Sequence, residues 1–447
     1  MKYEQLWKDI ETLCALRGPS GREAAVREYL IEQIKGHAEY EVDPLGNLLV
    51  RKKGKKPAKK VLQLSAHMDE VGFIITNIDE KGFLSFAPVG GVQPEVTGGR
   101  MVLVGDNAIP GMVGCKPVHL CDDKERSDPG KISNMKIDIG AKDKAEAEKL
   151  VSLGDMVTFT GPVAHYGEGR VAGRALDDRA GCAMLLAMIR EELPCDCCFS
   201  FTVQEEVGCF GGKTAAYTLR PDIAIAVETT TAGDLAGVPE EKKVCRLGNG
   251  PVVSFMDRGT IYTYDLYKKV RALADAHNIP NQTKEAVCGG NESRSRMTAA
   301  GGSEVLAISI PSRYLHSPAC VADEKDIENT LELLYLYHGS MKQTGTEYTM
   351  SPDAAAAGGA GAVMIRGLSY DDRRLRDLPG EPLLATMVES AARCCGMGLI
   401  YEFWGVYEGL RDRTPKGVIL QKGHALWASA FCPEAAAEIV DFLQWRQ

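Results

Sequence analysis

Leu6, Ile10, Leu13 and Leu16 recur at helical spacing until Gly18-Pro19-Ser20-Gly21 interrupts them. Ala25, Val26, Tyr29, Leu30 and Ile34 then line one face of a second helix, so residues 1–35 are expected to be mostly helical. Residues 41–50 predict a hairpin that turns at Pro44 and Gly46-Asn47, and residues 51–60 a basic, solvated loop. The compact apolar run VLQLSA at 61–66 predicts a buried strand. Between about 71 and 162 the texture changes. Short Gly- and Val-rich segments (GFIITNI, MVLVG, DMVTFTG) alternate with turn signals, predicting a small β-barrel or sandwich with one helical stretch at 141–153. After Gly173 longer periods return. Helices are expected over 179–191, 211–219, 262–277 and 326–337, and strands over 199–204, 223–227 and 305–310.

Strands alternating with helices predict an α/β fold, a mostly parallel sheet flanked by helices, with the β-rich block inserted into it. The small-residue segment GTEYTMSPDAAAAGGAGA has linker composition. Beyond it an α+β segment is expected: a helix at 382–395, strands at 399–406, 417–420 and 425–431, and a helix at 433–445. The expected organisation is a discontinuous domain at 1–70 and 164–345, an insert at 71–163, a linker at 346–362 and an appended unit at 363–447. A hydrophobic share of 45% and a charged share of 25% suit a globular chain with a real core. No apolar run is long enough to predict a membrane span. A net charge of -9 argues against a nucleic-acid partner. The 14 cysteines lack disulfide-type spacing, and the N-terminal stretch has acids but no apolar signal region, so reduced thiols in the cytoplasm are expected.

Chemistry concentrates at strand ends. His67 and Asp69 follow VLQLSA, Glu205 and Glu206 follow FSFTVQ, Glu228 follows IAIAV, and His316 follows VLAISI. Asp177 and Asp178 stand just before a predicted helix. In open parallel sheets ligands bind beyond the carboxyl ends of the strands, so these groups should converge. Imidazole and carboxylate are the usual ligands of a catalytic zinc, and there are more here than one ion needs. A pair of divalent ions sharing a carboxylate accounts for the surplus. In the Glu205-Glu206 pair, one carboxylate can bind metal while the other takes a proton from water. A glycosidase reading suits this histidine-bearing set poorly, because it needs two carboxylates and no metal. The CxxC at 195–198 has no second pair at zinc-ribbon spacing and reads as core or surface thiols.

The segments SAHMDEVGF, GRALDDRAG, VQEEVGCFGG, AVETTTAGDLAG and ISIPSRYLHSP resemble, in order and spacing, five blocks of the tetrahedral or glutamyl aminopeptidases. Some members of that family carry the older label endoglucanase or cellulase M. The resemblance covers residues 1 to about 342. It implies a phosphorylase/peptidase-like catalytic domain and two divalent metal ions per chain: zinc, with cobalt or manganese also accepted. It implies that His67 and Glu228 bind one ion, that Glu206 and His316 bind the other, and that Asp177 bridges them. Glu205 would be the general base, and Asp69 would hold the His67 ring in its ligating tautomer. The insert at 71–163 would be a dimerisation domain that builds a twelve-subunit tetrahedral shell, and the substrates would be short peptides cut at the N-terminus.

Two features depart from the family. GGNESRSRMTAAGG stands where a GGTDA-like stretch is usual, near the substrate pocket. Its Arg294 and Arg296 leave two readings: loop arginines in solvent, or side chains that reach the pocket and favour an acidic N-terminal residue. The segment after residue 345 has no family counterpart. It faintly resembles half of an acetyltransferase-type fold without the cofactor loop, and Met364 could start a separate reading frame. A binding or assembly module is the expectation, with Cys394, Cys395 and His424 in structural roles. The alternatives to an aminopeptidase are a related two-metal deacylase and a catalytically silent, shell-forming scaffold.

Overall fold

In a computed structural model, residues 3–122 and 131–341 are described, together with four short strands further on, Met364–Ile365, Leu368–Ser369, Val418–Gln421 and Ala425–Ala428. The chain divides into two units, Met1–Gly345 and Thr346–Gln447.

The first unit is built on an eleven-stranded mixed sheet. Its centre is parallel, in the order Cys197–Thr202, Leu62–His67, Ile223–Thr231, Glu304–Arg313. These strands are buried almost throughout on both faces, as a sheet covered by helices on both sides requires. The expected hairpin, Glu39–Val42 with Leu48–Lys52, pairs antiparallel with Cys197–Thr202 at one margin. At the other margin Cys320–Asp323, Arg170–Gly173 and Ala164–Tyr166 continue the sheet antiparallel. These short strands are absent from the sequence-based expectation, since three or four residues carry too little periodicity to read.

The helices lie where the apolar periods place them, with small differences at their ends. Glu4–Ala15 and Ala24–Ile34 are separated by the Gly-Pro break. Leu176–Arg190 is buried almost all round, which suits its small and apolar sequence LDDRAGCAMLLAMIR. Glu324–Ser340 is longer than expected because Asp323 caps it, its side chain accepting from Lys325 N.

The chain leaves the sheet just after His67 and forms a closed antiparallel barrel. The order around it is Gly72–Ile78, Leu84–Val89, Lys136–Asp138, Ile109–Gly114, Met101–Val104 and Met156–Phe159. Closure removes the free edges. Its core is separate from that of the sheet and centres on Phe73, whose ring meets Phe86 and Phe159 edge-on at 4.9 and 5.2 Å. The helix expected over 141–153 is only Lys144–Ala147, capped by Asp143, because Ser152-Leu153-Gly154 turns the chain into the last barrel strand.

A buried ion-pair network joins barrel, sheet and helices beside the strand ends. Glu70 accepts from Gly18 N at 3.0 Å and pairs with Arg174 and, at 3.5 Å, with Arg179. Arg179 in turn donates to Leu13 O at the end of the first helix.

In the second unit, Leu368–Ser369, Met364–Ile365, Val418–Gln421 and Ala425–Ala428 form a four-stranded sheet in that order. The last two match the strands expected at 417–420 and 425–431. The linker at 346–362, the helices expected at 382–395 and 433–445, the strand at 399–406, Cys394, Cys395 and His424 lie outside the described residues.

Candidate active site

The parallel strands deliver their chemistry to one edge, around a cavity of about 450 Å³. His67, Asp177, Glu205, Glu206, Glu228 and His316 all line it. His67 is the last residue of its strand. Glu205 and Glu206 follow Cys197–Thr202 after a left-handed turn at Gln204. Glu228 sits within its strand rather than beyond it: the β-branched run Thr229–Thr231 keeps pairing with residues 310–312. His316 comes from the loop between Glu304–Arg313 and Cys320–Asp323.

Asp177 lies at the centre. One carboxylate oxygen is 3.3 Å from His67 Nε2 and the other 3.8 Å from His316 Nε2. His316 Nε2 is also 3.1 Å from Glu206. Ligand atoms of His67, Asp177 and Glu206 lie within 4.8 Å of one another, a group that could hold a metal ion. Glu228 and Glu205 share the cavity. The Asp177-Asp178 peptide is cis, and the buried Asp178 carboxylate accepts from His67 N at 3.2 Å and Gly181 N at 3.1 Å, joining helix to strand end.

Asp69 acts mainly on the loop that carries the two glutamates. His67 Nδ1 meets Asp69's main-chain oxygen at 3.0 Å, while the carboxylate is 3.5 Å away. That carboxylate accepts from Ser20 Oγ at 2.6 Å, Glu205 N at 3.0 Å and Glu206 N at 3.2 Å. It thereby sets where the Glu205-Glu206 backbone stands.

Burial and crowding shift the protonation of the groups in this cluster. Burial raises the Glu205 carboxyl; His67 opposes this, Glu206, Glu292 and Asp69 add to it, and the group stands at about 8. Burial and the charge of Glu205 drive Glu228 well above the carboxylate range. Burial likewise raises Glu206, against its hydrogen bond with His316. Burial favours neutral His316, but Glu206 and Asp177 overcome it and lift the imidazole to about 9. Asp177 is held below its usual range: burial works against ionisation, but His67 and His316 prevail. Buried acids crowded this closely, with two imidazoles among them, are what bound divalent cations neutralise. The donor set of nitrogen and carboxylate oxygen fits zinc-like ions.

The M42 glutamyl aminopeptidase family pattern matches residues 46–333. The chain belongs to this family. A candidate aminopeptidase of Acetivibrio thermocellus is 40% identical over 338 residues, which are 75% of this chain and 98% of that protein. A lysyl aminopeptidase of Pyrococcus furiosus is 31% identical, covering 73% of this chain and 95% of its own. Among solved structures, the Pyrococcus horikoshii TET1 peptidase, which can assemble into a tetrahedron or a large octahedral shell, superposes with a TM-score of 0.66 at 32% identity. That match covers 74% of this chain and 99% of that one. About a quarter of this M42 chain therefore has no counterpart in these relatives.

The structure separates the two arginines of the departing stretch. Arg296 is fully buried in an ion pair with Glu292 and does not line the cavity; Arg294 does. The short helix Ser293–Arg296 makes the difference, since the i to i+4 spacing from Glu292 turns Arg296 inward. Sequence reasoning missed Lys284, Arg258 and Cys209 on the cavity wall. Cys209 Sγ donates to Glu205 Oε1 at 3.1 Å. Cys209 lies within the VQEEVGCFGG segment, four residues after Glu205, whereas no motif marks Lys284 or Arg258, which come from distant segments.

Proposed function

We propose that this M42 protein is a two-metal aminopeptidase that removes N-terminal residues from short peptides. The observation carrying the reading is the meeting of Asp177 with both His67 and His316 in a buried acidic cavity. His67, Glu228, Glu206 and His316 would hold two divalent ions, with Asp177 shared between them. When bound, such ions supply Lewis acidity toward the scissile carbonyl and neutralise the crowded carboxylates. Glu205 stands free of the three converging ligands, and its raised affinity for a proton suits a general base. Its carboxylate takes the proton of the attacking water and returns it to the leaving amine. The free α-amine of the substrate would lie near Glu228, and Asp69 fixes the backbone that presents Glu205 and Glu206.

A free α-amine is therefore required. Full-length protein supplied with zinc, cobalt or manganese should hydrolyse leucyl tripeptides and leave their N-acetylated forms intact, as followed by chromatography. Preferred cleavage of N-acyl amino acids would identify the related deacylase instead. Turnover of neither would leave the silent scaffold.

We assign residues 1–70 and 164–345 to catalysis, 71–163 to self-association, and 363–447, beyond the 346–362 linker, to a binding or assembly role. Met101 and Met112 support the second assignment: they face each other across two barrel strands, and both are exposed. The assembly of the TET1 relative supports it further. The full-length protein should sediment as a dimer or larger, up to a dodecamer, whereas a monomer at micromolar concentration would refute the assignment. The described cysteines are all free thiols, in keeping with a reducing cytoplasmic setting. No described helix is long and apolar enough to cross a membrane.

A further inference from the structure

Four consecutive main-chain amides at the start of the glutamate loop donate to side chains. Val203 N donates to Asn47 Oδ1 at 3.0 Å, Gln204 N to Glu23 Oε1 at 3.2 Å, and Glu205 N and Glu206 N to the two oxygens of Asp69. The stretch needs such support, because Gln204 is left-handed, with φ at 55°. A backbone conformation that L side chains rarely adopt persists only where its surroundings hold it. Part of the support comes from the Gly-Pro break that ends the first helix. Ser20 Oγ donates to Asp69 Oδ2 at 2.6 Å, and Glu23 Oε1 also accepts from Gly21 N at 2.7 Å. The break is itself seated beside the strand end of His67. Gly18 N donates to Glu70 Oε1 at 3.0 Å, Glu70 N donates to Gly18 O at 3.1 Å, and Pro19 pairs with Glu70. No side chain fits at residue 18, since its Cβ would lie 2.9 Å from both Arg179 Nη2 and Val26 Cγ2.

Glu23 stands directly before the helix Ala24–Ile34, where an acid ordinarily serves the helix's own free amides. Its side chain makes no such cap, and the residue is only 5% exposed. A buried carboxyl is costly unless its oxygens are hydrogen-bonded, and the bonds it makes run to the break and to the glutamate loop. We propose that Glu23 is a positioning residue for Glu205 and, together with Ser20 acting through Asp69, makes the break at 18–23 the template on which the glutamate loop is set. The inference rests on the aminopeptidase reading. Neither Glu23 nor Ser20 lines the cavity, so their effect reaches the reaction through where the Glu205 carboxylate stands. Both precede residues 46–333, the span that the family pattern matches, so family membership assigns them no part.

The test compares Glu23→Met, which keeps the bulk and removes the acceptor, with Glu23→Gln, which keeps an acceptor oxygen, in the metal-supplied full-length protein. On an unblocked leucyl tripeptide Glu23→Met should lose about ten- to a hundredfold in kcat, the cost of displacing a reacting group by up to about 1 Å, with the KM and metal content of the wild type. Glu23→Gln should recover most of that loss. Ser20→Ala, a smaller change that carries the same test if Glu23→Met does not fold, should lower kcat in the same way. Wild-type kcat in Glu23→Met and Ser20→Ala overturns the inference. So does a Glu23→Gln enzyme as slow as Glu23→Met, because charge rather than an acceptor for Gln204 N is then at work. Loss of metal in step with kcat also overturns it, since the contact then acts through Glu206. Hydrogen exchange of the amides at 203–206, followed by mass spectrometry, reads the contact without turnover. It should quicken in Glu23→Met and not in Glu23→Gln, and unchanged exchange in both refutes this inference alone. A wild type inactive on every unblocked substrate refutes the aminopeptidase reading instead.

Discussion

Glu205→Gln should lower kcat by about 10²–10⁴-fold, the range supplied by a positioned general base, and leave the metal content unchanged. Shape and charge both lead to this outcome. Gln occupies the same volume, and its Oε1 can still accept from Cys209, so the loop set by Asp69 has no reason to move. Glu205 is not one of the three residues whose ligand atoms converge within 4.8 Å. What disappears is a group able to take a proton near neutral pH. The loss should fall on kcat rather than KM, because the interaction is made in the transition state. Steady-state kinetics on an unblocked substrate together with elemental analysis would check both halves. A kcat within about threefold of wild type would remove Glu205 from the mechanism.

Asp177→Ala should do something different: lose metal and activity together. The Asp177 carboxylate faces His67 with one oxygen and His316 with the other. Without it, each imidazole keeps a carboxylate neighbour in the cavity but the two halves of the site lose their common ligand. Bound metal should drop from two ions per chain to one or none. Turnover should drop by at least about 10³-fold, since both polarisation of the carbonyl and placement of the water depend on the pair. His67→Ala, which leaves His316 and Glu206 in contact, should retain more metal than Asp177→Ala. Equal metal content in Asp177→Ala and wild type would mean that Asp177 holds no ion.

The sequence was most legible where physical periodicity or residue chemistry is local. The apolar runs that became Leu62–His67, Ile223–Thr231 and Glu304–Arg313 read as buried strands, and their parallel pairing follows from the helices between them. The convergence of His67, Asp177, Glu206 and His316 was readable because acids and imidazoles directly after apolar strands have little structural reason to be there. The margin opposite the hairpin was not legible: Arg170–Gly173 and Cys320–Asp323 are too short to show alternation and are held by pairing with each other. Lys284 and Arg258 were illegible for a different reason: they come from separate loops, and an isolated Lys or Arg reads as solvated until the fold places it, whereas the pocket reading of Arg294 matches its place on the cavity wall. Arg296 shows the converse, since an arginine that looked able to reach the pocket is spent on Glu292.

On the proposed mechanism, two cations sharing Asp177 would make this cavity an aminopeptidase centre. The most direct measurement is a titration of zinc, cobalt or manganese into the chelator-stripped full-length protein, following hydrolysis of an unblocked leucyl tripeptide alongside bound metal. No turnover is expected in the stripped protein, and a plateau is expected at two ions per chain. Full turnover in the stripped protein, or saturation with less than one ion bound, would contradict that mechanism.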